Sequence, residues 1–106
     1  MKILLDECLP IDFRHEFGTH DAHTTQWAGL KGKKKGELLR AAEIAGYDVF
    51  LTVDQGIPHQ QPRGRKLSIV LIRSRTNQID LLSLVNEILA ATETIQPGQT
   101  ISIPSS

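Results

Sequence analysis

The sequence predicts an α/β domain, a three-layer α/β/α sandwich around a central, mostly parallel sheet of four to five strands. Three observations predict it. Short continuous apolar runs recur at Ile3-Leu4-Leu5, Val49-Phe50-Leu51 and Leu67 to Ile72. Runs of that length, without alternation, suit strands buried on both faces, which occur in parallel sheets covered by helices. Between them lie stretches with helical spacing, so the order is strand, helix, strand, helix, strand, loop, strand, helix, strand. The chain of 106 residues is enough for one core, and residues 1–106 read as a single domain.

Each element has a local reason. The first strand, Ile3-Leu4-Leu5, runs straight into Asp6 and Glu7. Leu9, Phe13 and Phe17 fall at i, i+4 and i+8, which predicts a helix over 9–17 with Pro10 in its first turn and Gly18 as its stop. His20 to Thr25 is a polar strand suited to a sheet edge. Gln26 to Lys35 is a loop rich in Gly and Lys. Its Trp27, the only tryptophan, is expected to anchor the loop on the core, with base stacking as the alternative role. Leu38, Leu39, Ala42 and Ala45 mark one face of a second helix over 36–46, with Glu37 in its first turn and Gly46 at its stop. Tyr47 to Val53 is the next strand and ends at Asp54. Residues 55–66 form a loop holding two prolines and three bases. The third buried strand covers 67–72, and Arg73, Arg75 and Asn77 follow it. A third helix falls within 78–92, Gln96-Pro97-Gly98-Gln99 is a turn, and Thr100 to Ile103 is the last strand.

Composition excludes several classes. Formal net charge is zero, with 40% hydrophobic and 23% charged residues, as in ordinary globular domains. One cysteine, Cys8, rules out an intrachain disulfide and a Cys-rich zinc site. No apolar run approaches the roughly 20 residues of a membrane span, and no signal peptide is apparent, so a cytoplasmic protein is expected. Charge is uneven: residues 1–30 carry five acids and two bases, residues 31–75 ten bases and four acids. A basic middle suits an anionic partner such as RNA, although surface lysines also serve solubility alone.

The chemistry-bearing pattern is a set of carboxylates at element ends. In open parallel sheets, ligands bind where the strands end. Asp6, Glu7 and Asp54 follow strands, and Glu37 opens a helix that starts at the same edge. Taken singly, Asp6 suits a helix cap, Glu37 a helix dipole and Asp54 a turn. Together they are an oxygen-only set, which suits Mg²⁺ or Mn²⁺ rather than zinc. Asn77 is a further oxygen ligand or water-positioning group. Lys35, Lys66, Arg73 and Arg75 are candidate phosphate contacts, and Gln60 and Gln61 candidates for positioning a substrate. The four histidines show no metal-binding spacing, and no Walker loop, dinucleotide fingerprint or nucleophile elbow is present.

The runs LLDECLP, WAGLK before KGELL, LTVDQGIPHQQ and IVLIRSRTN together resemble the short PIN-like proteins of bacteria, relatives of PIN-domain ribonucleases often encoded beside a small helix-turn-helix protein in toxin–antitoxin style. The resemblance reaches to about residue 100. It implies a PIN-like sandwich, a Mg²⁺- or Mn²⁺-dependent RNA-cleaving site and a helix-turn-helix antitoxin as partner. Asp6, Glu37 and Asp54 match the first three acidic positions of a PIN site. At the fourth, this chain has Ser74 and Asn77, and Gly32-Lys33-Lys34 is extra length before the GELL run. A metal-dependent endoribonuclease is therefore the first expectation. A binding module with a weakened metal site, acting through a protein partner, is the second, and a receiver-type phosphoacceptor the third. The apolar third helix and the Ile101–Ile103 segment also suit a homodimer.

Overall fold

In the computed structural model the described residues are 1–9, 11–18, 20–54, 56, 66–73 and 84–103. Strands β1 (Lys2–Leu5), β2 (Asp21–Thr24), β3 (Val49–Thr52), β4 (Ser68–Ile72) and β5 (Thr100–Ile103) form one sheet. Its order is β2-β1-β3-β4-β5, and all four pairings are parallel. The expected α/β/α sandwich is present, with five strands, every one of them parallel.

The buried runs explain the layers. In a strand, alternate side chains face opposite sides. Ile3, Leu5, Val49, Leu51, Val70 and Ile72 face one layer, where they meet Phe13 and Phe17 of a 3-10 helix (Ile11–Phe17) and Ile88 of α2 (Val85–Thr94). Leu4, Phe50 and Ile69 face the other, against Leu38, Leu39 and Ala42 of α1 (Lys35–Ile44). Phe13 and Phe17 pack edge to face at 5.5 Å between ring centres. The polar strand β2 lies at the sheet edge, as its composition predicts.

Three elements differ from expectation. Residues 11–17 wind as a 3-10 helix rather than an α-helix. Leu9, Phe13 and Phe17 are all buried, but at three residues per turn side chains four apart point about 120° apart, so they do not form the single stripe an α-helix would give. The third helix begins at Val85 among the described residues; the first half of its predicted span, like Pro10, lies outside them. Trp27 is 65% exposed and does not anchor its loop on the core. That work falls to Ala28 and Leu30, which pack on the α1 side.

Gly46 stops α1 with a φ of 87°, and Gly98 takes 79° within the predicted turn, which Gln99 N–H closes on the Gln96 carbonyl at 3.0 Å. Both sit in the left-handed region where a side chain is strained. Among the described residues, no helix is long and apolar enough to cross a membrane.

Candidate active site

The strand order places β2 on one side of β1 and β3 on the other. The chain reverses its direction along the sheet there, and such a switch point opens a crevice beyond the strand ends. Register fills that crevice. Leu5 pairs with Thr24 on one side and Leu51 on the other, so the next row holds Thr25, Asp6 and Thr52. Three polar residues thus stand side by side at the carboxyl ends of β2, β1 and β3.

Hydrogen bonds lock the row. Asp6 donates its N–H to the Leu51 carbonyl at 2.9 Å, continuing the ladder one step past β1. Its Oδ2 accepts the Thr52 hydroxyl at 2.6 Å, and its Oδ1 accepts the Glu7 N–H at 2.8 Å. Thr52 Oγ1 in turn accepts the Asp54 N–H at 3.0 Å, and Asp54 Oδ1 accepts the Gly56 N–H at 2.9 Å. Thr52 is fully buried and Asp6 half-buried. One hydroxyl therefore ties the two strand-end aspartates together, donating to the first and accepting from the backbone of the second. Asp6 spends its side chain on that tie rather than on capping the 3-10 helix.

Beside the tie lies a pocket of about 320 Å³ lined by Asp6, Glu7, Leu9, Thr24, Thr25, Gln26 and Lys31. Two carboxylates and one ammonium share it. The Thr25 hydroxyl is buried, with no hydrogen-bond partner among the described residues. Cys8 also faces this corner. Burial pushes its thiol above the ordinary range and the Asp6 charge adds to the shift, while the Val53 backbone and the Thr52 hydroxyl oppose it. The thiol is therefore held protonated at neutral pH, which makes it a poor nucleophile.

The remaining predicted residues divide by place. Glu37 is exposed in the first turn of α1 and makes no hydrogen bond or ion pair among the described residues. Among those residues, no three His, Cys, Asp or Glu side chains come together to hold an ion. Asp6 and Asp54 are thus joined through Thr52, and Glu37 does not complete a group of three with them. Arg73 is exposed just past β4, at the edge that carries Asp6, one strand beyond β3. Lys35 opens α1.

Lys66 is a correction to the expected phosphate rim. It precedes β4 at the opposite edge, where its N–H is bound by Glu43 Oε1 at 2.7 Å and its carbonyl accepts the Gly98 N–H at 3.0 Å. The physical reason is topological: parallel β3 and β4 force their connection to cross from one edge to the other. Gln60, Gln61, Arg75 and Asn77 lie outside the described residues.

Sequence reasoning missed Thr52, Thr25 and Gln26. A signal existed for the first: Thr52 is the one polar residue inside the apolar run VFLTV. Asp6 and Glu7 at the pocket, and Asp54 joined to Asp6 through Thr52, offer oxygen donors only, without three carboxylates meeting among the described residues. Oxygen is the donor Mg²⁺ or Mn²⁺ prefers, and Mg²⁺ is commonly held by one or two carboxylates with waters and substrate phosphate completing the shell. No family model, curated protein or solved structure matches this chain.

Proposed function

We propose that this protein is a metal-dependent endoribonuclease of PIN-like type, the toxin half of a pair with a small helix-turn-helix antitoxin. The observation that carries the reading is the tie between Asp6 and Asp54 at the switch point. Asp6 and Asp54 would hold Mg²⁺ or Mn²⁺, with Glu7 beside them and Glu37 and Asn77 as outer contributors. What the ion supplies when bound is neutralisation of charge on a scissile phosphate and polarisation of water. The chain's own part is to hold the carboxylates rigid. Thr52 fixes Asp6 in one rotamer, and a carboxylate has about four acceptor positions, so both Asp6 oxygens keep capacity for a ligand. Lys31 and Arg73 flank the corner as phosphate contacts.

The test is cleavage of single-stranded RNA by the purified protein with Mn²⁺, beside Asp6→Asn and Asp54→Asn. Each variant is expected to lose activity by at least about 10- to 100-fold, the usual cost of disturbing a metal's surroundings. Equal cleavage by all three proteins overturns the reading.

The phosphoacceptor reading gains one observation, since the strand order 2-1-3-4-5 with acids after β1 and β3 also suits a receiver-type domain. That chemistry needs a lysine ending a later strand, and residues 76–106 contain no Lys or Arg. Hydroxylamine-sensitive labelling by a small phosphodonor, lost in Asp54→Asn, would favour it over the nuclease.

A further inference from the structure

We propose that the turn from Thr25 to Lys31 is the wall that holds a single-stranded nucleic acid, one base lying on the open face of Trp27 and an adjoining phosphate meeting Lys31 at the pocket of Asp6. The inference rests on the nuclease reading for the fate of the strand, not for its capture.

Trp27 carries the argument. A tryptophan is highly buried in most proteins, yet this one is 65% exposed. Its ring is nonetheless fixed. One face stacks on His23, with ring centres 3.9 Å apart and planes at 27°. His23 Nδ1 is hydrogen-bonded to the Tyr47 hydroxyl at 2.9 Å, and the Tyr47 ring is buried with Lys2 Nζ 4.5 Å from its centre. The covered face leads down into the protein, so the exposure belongs to the other face. A rigid, half-covered indole is a stacking platform that loses little entropy when a base lands on it.

The backbone behind it is equally fixed. Trp27 N–H donates to Thr24 Oγ1 at 3.1 Å, Ala28 N–H to the Thr24 carbonyl at 3.0 Å and Leu30 N–H to the Thr25 carbonyl at 2.8 Å. Gly29 and Gly32 turn the chain with φ of 75° and 85°. This turn sends Gln26 and Lys31 into the pocket and Trp27 outward, one residue away. Lys31 makes no ion pair among the described residues, and Lys33 and Lys34 are exposed beside it. The open aromatic face and the exposed ammonium groups match base and phosphate in turn.

A peptide partner fits less well. Among the described residues the other exposed large apolar side chains are Met1 and Ile44. Both lie at the opposite edge, so Trp27 stands among charges rather than in an apolar patch.

The chain's single tryptophan makes the test direct. The full chain, kept in EDTA so that nothing is cut, is titrated with a labelled single-stranded oligoribonucleotide of about eight nucleotides. Binding should quench Trp27 fluorescence. By anisotropy of the label, Trp27→Ala should weaken binding about 5- to 150-fold, with Trp27→Phe retaining most of it. Lys31→Ala should weaken binding and make the salt slope shallower by about 0.7. Trp27 is exposed, so circular dichroism of the variants should match the parent. Unchanged affinity in Trp27→Ala and Lys31→Ala, or equal affinity for a duplex, overturns the proposal, as does quenching by an apolar peptide but not by the strand. Quenching without any Mn²⁺-dependent cleavage keeps this inference and removes the nuclease; cleavage indifferent to both variants does the reverse.

Discussion

At the scale of single residues, the site depends on one hydroxyl. Thr52 donates to Asp6 at 2.6 Å while accepting from the Asp54 backbone at 3.0 Å. Thr52→Val keeps the shape and removes both bonds. It should cost about 1–3 kcal/mol, because a half-buried carboxylate and a backbone N–H lose their partner, whereas Thr52→Ser should recover most of it; urea unfolding of the two variants checks this. Cys8 offers a second reading of the same corner. Burial first, and the Asp6 charge after it, hold its thiol above the ordinary value. A thiol raised in the fold favours the native state while protonated, and that contribution is present below the unfolded value and lost as pH climbs through the folded one. Alkylation of native Cys8 should therefore be slower than in urea at pH 8 and quicken at higher pH. Asp6→Asn, which removes a charge that raises the thiol, should speed labelling of the native protein; a slower rate would contradict the geometry. The strand-end aspartates were legible in the sequence, because an apolar run stopping at an acid marks a strand leaving the core. Thr52 was legible only as an oddity, since nothing in one strand says which neighbour its hydroxyl will meet.

Among elements, α1 shows how burial, more than propensity, decides what matters. Leu39 is fully buried against Leu4 and Phe50, and Ile44, five residues on, is 80% exposed. Leu39→Ala should cost about 2–5 kcal/mol through lost burial and a cavity, and Ile44→Ala less than about 0.5 kcal/mol. Two denaturant midpoints suffice to compare them, and similar losses would mean that α1 packs by another face. Helical periodicity predicted that face correctly for Leu38, Leu39 and Ala42, but Ala45, read as its fourth member, is exposed at the C-cap because the helix ends at Ile44. Periodicity did not give the winding of residues 11–17: the four-residue spacing of Leu9, Phe13 and Phe17 fits about 3.6 residues per turn, yet Leu9 lies outside the 3-10 helix and Phe13 and Phe17, about 120° apart on it, are both buried. Nor could it place Trp27. The loop's apolar anchors are the smaller Ala28 and Leu30, whose backbone N–H groups bond to the Thr24 and Thr25 carbonyls.

For the whole molecule, topology outranks distance along the chain. Lys66 is 12 residues from Asp54 in sequence and at the other edge of the sheet, while Asp6, 48 residues away, is tied to it through one oxygen. An all-parallel sheet makes both outcomes necessary, because every connection carries the chain from the edge where strands end to the edge where they begin. This separation gives the proposed ion a test independent of any cleavage. A ligand that binds only the folded state stabilises it by mass action. An ion held with a dissociation constant of about 1 mM, present at about 10 mM, adds about 1.4 kcal/mol. In a domain near 100 residues that raises the melting temperature by about 6–11 °C. Mn²⁺ should therefore shift the melt of the parent protein, and EDTA should reverse the shift. Asp6→Asn and Asp54→Asn should abolish it even where they lower the baseline stability. Lys66→Ala should leave it intact, since that side chain belongs to the far edge. If Mn²⁺ moves all four proteins equally, the ion is acting on the general surface and not between the strand ends. If it moves none, the two aspartates serve the fold alone, through their hydrogen bonds with Thr52, Glu7 and Gly56.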